Sequence, residues 1–98
     1  MSQIFEIDPA MVKGYLNRRA SDLEALRSAL AERRFEIISN FGHQWKGNAD
    51  SFGFPMLAQF GRNLEDAADA SDTGRVQSLI SEIESFVQTE EEKIIESV

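Results

Sequence analysis

Residues 41–55 read FGHQWKGNADSFGFP. The end of this stretch decides the fold. Gly53 can take the left-handed backbone conformation that stops a helix. Pro55 suits the first turn of the next one, where its missing N–H costs nothing. Upstream of the break, helical spacing puts Phe35, Ile38, Phe41, Gly42, Trp45, Ala49 and Phe52 on one stripe. Downstream, Leu57, Phe60, Leu64 and Ala68 recur at intervals of three and four. The stretch therefore predicts a hairpin of two amphipathic helices, over about 34–52 and 55–70.

Working outward, a first helix is predicted over 9–31. Asp8 can cap its free N–H groups, Pro9 falls at its first position, and Ile7 and Val12 stand at the ends of a hydrophobic staple. Leu16, Leu23, Leu26 and Leu30 continue its apolar face, and Gly14 weakens it slightly. Its end is poorly marked. LAERRFE holds neither Gly nor Pro, and the turn is placed near Arg33–Arg34. The segment ASDTG (70–74) is a turn whose Asp72 or Ser71 caps a fourth helix over 72–93. That helix turns Val76, Leu79, Ile80, Ile83, Phe86 and Val87 inward, and TEEEKIIESV is its solvated end. Strand signals are nearly absent. Single helices with apolar stripes are marginal in water, and packing the stripes together removes that exposure. The expected fold is all-α: an up-down-up-down antiparallel four-helix bundle with a short N-terminal lead-in, one domain over residues 1–98.

Composition narrows the function. The 98 residues suffice for one domain. There is no Cys, which excludes a disulfide framework, a thiolate metal site and a catalytic Cys. The start lacks a signal-peptide pattern, and no run approaches the roughly 20 apolar residues of a membrane span. A soluble, cytoplasmic protein is expected, either free-standing or, if the acidic end of the fourth helix continues into a linker, part of a larger kinase. It should be a monomer, with Ile94, Ile95 and Val98 as the residues on which self-association would rest. Net charge is −7, so nucleic acid is an unsuitable partner. The charge is lopsided. Residues 1–49 carry seven basic and six acidic groups, and residues 50–98 three basic and eleven acidic ones.

His43 is the chain's single histidine. With Trp45 at the centre of the apolar stripe and about 100° per residue, His43 falls at about 160°, on the outer face. Ser39, Lys46, Gly47 and Asp50 surround it. A lone exposed His is most often plain surface, and one His with scattered carboxylates makes no firm metal site. Its neighbours are more telling. Lys46, three residues on, can bring its ammonium over the imidazole. Gly47 accepts the cost of about 1 kcal/mol for Gly inside a helix and leaves bare space beside the ring. A nucleophile, a cation and a bare patch form a site suited to an anionic group.

HQWKGNADSFG resembles the signature of histidine-containing phosphotransfer (HPt) domains, roughly His-x-Leu-Lys-Gly-Ser with a Gly about ten residues after the His. His43, Lys46, Gly47 and Gly53 match it. The likeness extends over about residues 7–87, through Ile7-Asp8, the Leu-rich first helix, Leu64-Glu65 and the last turn. Trp45 stands where Leu or Met is usual, Asn48 replaces a small residue, and Arg33-Arg34 replaces a Gly-Asp. The first two changes are candidates for tuning partner choice.

The resemblance implies a phosphorelay intermediate. His43 would accept a phosphoryl group, on Nε2, from the phospho-aspartate of a response-regulator receiver domain and pass it to a second receiver. Attack requires a ring nitrogen with a free lone pair, which the neutral form of histidine supplies. Lys46 would offset phosphoryl charge. Nδ1 should be held as N–H, and the hairpin register points to Glu65, a position where the family commonly has Glu or Gln; the other reading of Glu65 is a solvated carboxylate next to Asp66. Gly61, one turn earlier, would keep the cleft open or permit close packing. Ser39, Asn40, Gly47 and Asp50 are candidates for the docking surface, with Arg33 and Arg34 to meet the receiver's acidic pocket. No phosphate loop or kinase motif is present, so a phosphocarrier and not an enzyme is implied. It would have no cofactor of its own, with Mg2+ in the partner receiver. Expected partners are receiver domains and a hybrid sensor kinase. The alternative is a non-catalytic helical-bundle interaction or dimerisation module in which His43 is incidental.

Overall fold

The computed structural model describes residues 9–97, with side chains described for 10–94. The capping expected of Ile7 and Asp8 lies outside the described residues, as do the side chains of Ile95 and Val98. Four helices follow in order: α1 Pro9–Ala31, α2 Phe35–Asn48, α3 Pro55–Asp69 and α4 Thr73–Ser97. A single 3-10 turn, Asp50–Phe52, lies between α2 and α3. The described residues contain no strand. Each helix packs on its neighbours in the chain, and α4 closes back on α1, so the architecture is an up-down-up-down bundle.

The apolar stripes meet as their spacing dictates. Leu16, Leu26, Ile38, Trp45, Leu57, Leu64 and Ile83 are fully buried, and the remaining stripe residues of α3 and most of those of α4 are buried beside them. Phe35, Phe41 and Phe52 are only half-buried and pack against the edge of the core. Two boundaries differ from the expected ones. Helix α2 stops at Asn48, and the last residues before Gly53 tighten into the 3-10 turn, with Phe52 N donating to Ala49 O at 3.1 Å. Helix α4 runs on to Ser97, beyond the expected 93.

All three turns end a helix in one way. Gly53 N bonds Asp50 O and Phe54 N bonds Ala49 O, with Gly53 at φ 84°. Arg33 N bonds Leu30 O and Arg34 N bonds Ala29 O, with Arg33 at φ 59°. Ser71 N bonds Ala68 O and Asp72 N bonds Ala67 O, with Ser71 at φ 53°. Each is a Schellman termination with a left-handed residue just past the helix. Only one of the three uses Gly, which is why one break is plain in the sequence and the Arg33 break is not. Beyond the last turn, Asp72 caps α4 by accepting from Arg75 N at 3.1 Å.

The α2–α3 hairpin is the most intimate pair in the bundle. Gly42 and Gly61 face each other across it. A Cβ on Gly42 would lie 2.5 Å from Gly61 O and 2.8 Å from Glu65 N. One on Gly61 would lie 2.7 Å from Gly42 O and 2.8 Å from Lys46 N. Gly61 therefore permits close packing, and its contact sets residues 43–46 against Glu65.

Candidate functional site

His43 stands on the outer face of α2, its side chain 69% exposed. Its Nδ1 lies 3.3 Å from Glu65 Oε2 on α3. Lys46, one turn along α2, places Nζ 2.8 Å from Glu65 Oε1. One carboxylate thus spans the imidazole and the ammonium, one oxygen to each. The Lys46 ammonium is the main influence holding the Glu65 carboxyl below the usual carboxylate range. Partial desolvation works against it, and the contact with His43 adds to the lowering. Glu65 is therefore ionised at neutral pH and able to accept from a protonated Nδ1. With Nδ1 near Glu65, the rest of this largely exposed ring has no partner among the described residues other than Glu65.

The other residues singled out in the sequence divide. Asn40, Gly47 and Asp50 are exposed around His43. Gly47 has nothing within 4 Å of the position a Cβ would take, so the bare patch opens to solvent. Ser39 donates to Asp69 Oδ1 at 2.9 Å, which makes its hydroxyl a second tie between α2 and α3. Arg33 and Arg34 lie elsewhere. They sit ten and nine residues before His43, in the turn ahead of α2, and from Phe35, the first residue of α2, to His43 the helix rises about 12 Å. Arg33 donates to Thr73 Oγ1 at 3.1 Å and Arg34 pairs with Glu32 at 3.0 Å.

Trp45 and Asn48 reach toward α1. Trp45 is fully buried, and its indole Nε1 donates to Asp22 Oδ2 on α1 at 3.2 Å. Arg19 Nε lies 2.8 Å from the same oxygen, without hydrogen-bond alignment, and its guanidinium covers the Tyr15 ring at 4.5 Å. Tyr15 donates to Asn48 Oδ1 at 2.8 Å and stacks on Phe52 at 4.4 Å between centroids. Burial pushes the Tyr15 hydroxyl up from its ordinary pKa, so it stays a donor. In this structure both departures from the family signature thus anchor the site helix, α2, to α1. Tyr15, with its apolar ring and polar tip, was the sequence signal for this anchor.

A family model described as Hpt domain matches residues 10–93. The chain belongs to the Hpt domain family. Among curated proteins and among solved structures nothing matches it. Membership makes the chain a phosphocarrier of the histidine phosphotransfer relay, not an enzyme, and its partners are in general receiver and sensor-kinase domains. Among the described residues no group of three or more His, Asp and Glu could hold a metal ion. No described helix is long and apolar enough to cross a membrane. Neither glycine alone marks the crossing point in the sequence: Gly42 lies on the apolar stripe, and only its register with Gly61 reveals the contact.

Proposed function

We propose that His43 is the phosphoacceptor of this Hpt domain. It takes the group from a receiver phospho-aspartate and hands it to a second receiver in the cytoplasm, with a hybrid sensor kinase upstream. The observation that carries this reading is an exposed imidazole whose Nδ1 is 3.3 Å from an ionised carboxylate. The Nε2 lone pair attacks phosphorus, the N–P bond forms, and the bond to the aspartyl oxygen breaks, returning the carboxylate to the receiver. The imidazole then carries its proton on Nδ1 and a positive charge, which Glu65 stabilises. In-line attack needs an unobstructed ring, and an outward-facing residue with bare Gly47 beside it provides one. Mg2+ would belong to the partner receiver.

Incubation with a labelled phospho-receiver should yield an acid-labile, base-stable phosphate on this protein. No such product with any of a panel of receivers would leave only an interaction module. Lys46 is the cation available to the transferred group, although Glu65 holds it at rest. Lys46→Ala should slow transfer roughly ten- to a hundredfold, the scale of losing one positioned charge. Because Lys46 is partly exposed, the melting temperature should change little. A melting curve showing loss of the fold would sink this assignment.

Ser39, Asn40, Gly47 and Asp50 form the proposed docking surface around His43. Gly47→Ala separates docking from folding. Its Cβ meets nothing in the free protein, so the helix should gain about 1 kcal/mol. Transfer should fall roughly tenfold, because a misplaced partner loses the near-attack geometry. A variant that is more stable and transfers at the wild-type rate would remove Gly47 from the docking surface.

A further inference from the structure

We propose that Arg62 on α3 is a second cation at the rim of the site, and that it engages the phosphoryl-bearing pocket of the partner. This rests on His43 being the phosphoacceptor. Arg62 precedes Glu65 by three residues, so the two neighbour each other on one side of α3. That is the side from which Glu65 reaches Lys46 and His43. The preceding residue, Gly61, lies against the Lys46 backbone, which brings this part of α3 to the Lys46–Gly47 stretch of α2.

Charge singles Arg62 out. Lys46 is neutralised at rest by Glu65 at 2.8 Å. Asp50, Asp66 and Asp69 add negative charge to the same hairpin. Arg62 is exposed and has no ion pair or side-chain hydrogen bond among the described residues. A partner that presents an aspartyl phosphate brings about −1.5 to −2 of charge to His43. An acidic surface repels it, and an unpaired guanidinium at the rim of the site draws it into register. Arg33 and Arg34, to which the sequence assigned this task, lie in the turn before α2, two helical turns or more from His43, and are already engaged.

The test uses the receiver domain that transfers fastest to the wild-type protein, labelled on its aspartate. Arg62→Ala should lower the apparent second-order transfer constant roughly tenfold at low salt, the scale of lost electrostatic steering. The gap should close as salt rises, and Arg62→Lys should restore most of the rate. The melting temperature should not move. Wild-type rates for Arg62→Ala at low salt, or a deficit that salt does not change, would overturn the assignment while leaving His43 as acceptor. Absence of any acid-labile phosphate on the wild-type protein would overturn both.

Discussion

His43→Gln should leave the bundle folded and unable to carry a phosphoryl group. The side chain is 69% exposed, so its loss uncovers no core. Surface substitutions of this kind change stability by about 0.5 kcal/mol or less. The Gln amide can still donate toward Glu65, but it has no nucleophilic nitrogen to attack phosphorus. No second His exists to take over. Labelled transfer should therefore drop below detection while the melting curve overlays that of the wild type. Acid-labile label persisting on His43→Gln would reject His43 as the acceptor.

Gly42→Ala should be the most damaging small substitution. The new Cβ would lie 2.5 Å from a backbone carbonyl, 2.8 Å from a backbone nitrogen and 3.2 Å from Leu64 Cβ. Neither backbone group can swing aside as a flexible side chain does, so α2 and α3 must separate. That separation opens the contact that buries Trp45 and Leu64, at a cost of about 3 kcal/mol. For a domain of this size the melting temperature should fall by roughly 15 °C. Moving the helices apart also lengthens the His43–Glu65 and Lys46–Glu65 contacts, so transfer should suffer even at temperatures where the variant is folded. The same substitution five residues later, Gly47→Ala, should stabilise the protein. A pair of thermal melts therefore tests whether the two glycines serve opposite purposes, one clearing space for a helix and the other for a partner. A Gly42→Ala melt within a degree or two of the wild type would contradict the close crossing.

Much of this was legible in the residues because it follows from period and punctuation. The stripes of α3 and α4 are regular, and Gly53 with Pro55 announces one turn. The approach of Glu65 to His43 follows from counting residues across that turn. What stayed hidden depends on context. Arg33 and Ser71 adopt left-handed conformations that Gly usually supplies, because the flanking helices and their Schellman hydrogen bonds impose them. The identity of Arg33 therefore does not mark the break. The exit from α2 through a 3-10 turn leaves no mark on an apolar stripe that continues to Phe52. The anchor joining Tyr15, Arg19, Asp22, Trp45 and Asn48 spans two helices more than 20 residues apart in the chain. Helical spacing on either helix alone does not indicate it. Trp45 reads as a packing residue from its stripe, but that its indole N–H reaches Asp22 emerges only from the packing of α2 on α1.

At the centre of the account is a ring held by one nitrogen and reactive at the other. Heteronuclear NMR of the phosphorylated protein, with nitrogen-labelled imidazole, reads both nitrogens directly. The expected spectrum shows phosphorus coupled to Nε2 of His43 with a proton retained on Nδ1. Phosphorus on Nδ1, or on any residue other than His43, would contradict it.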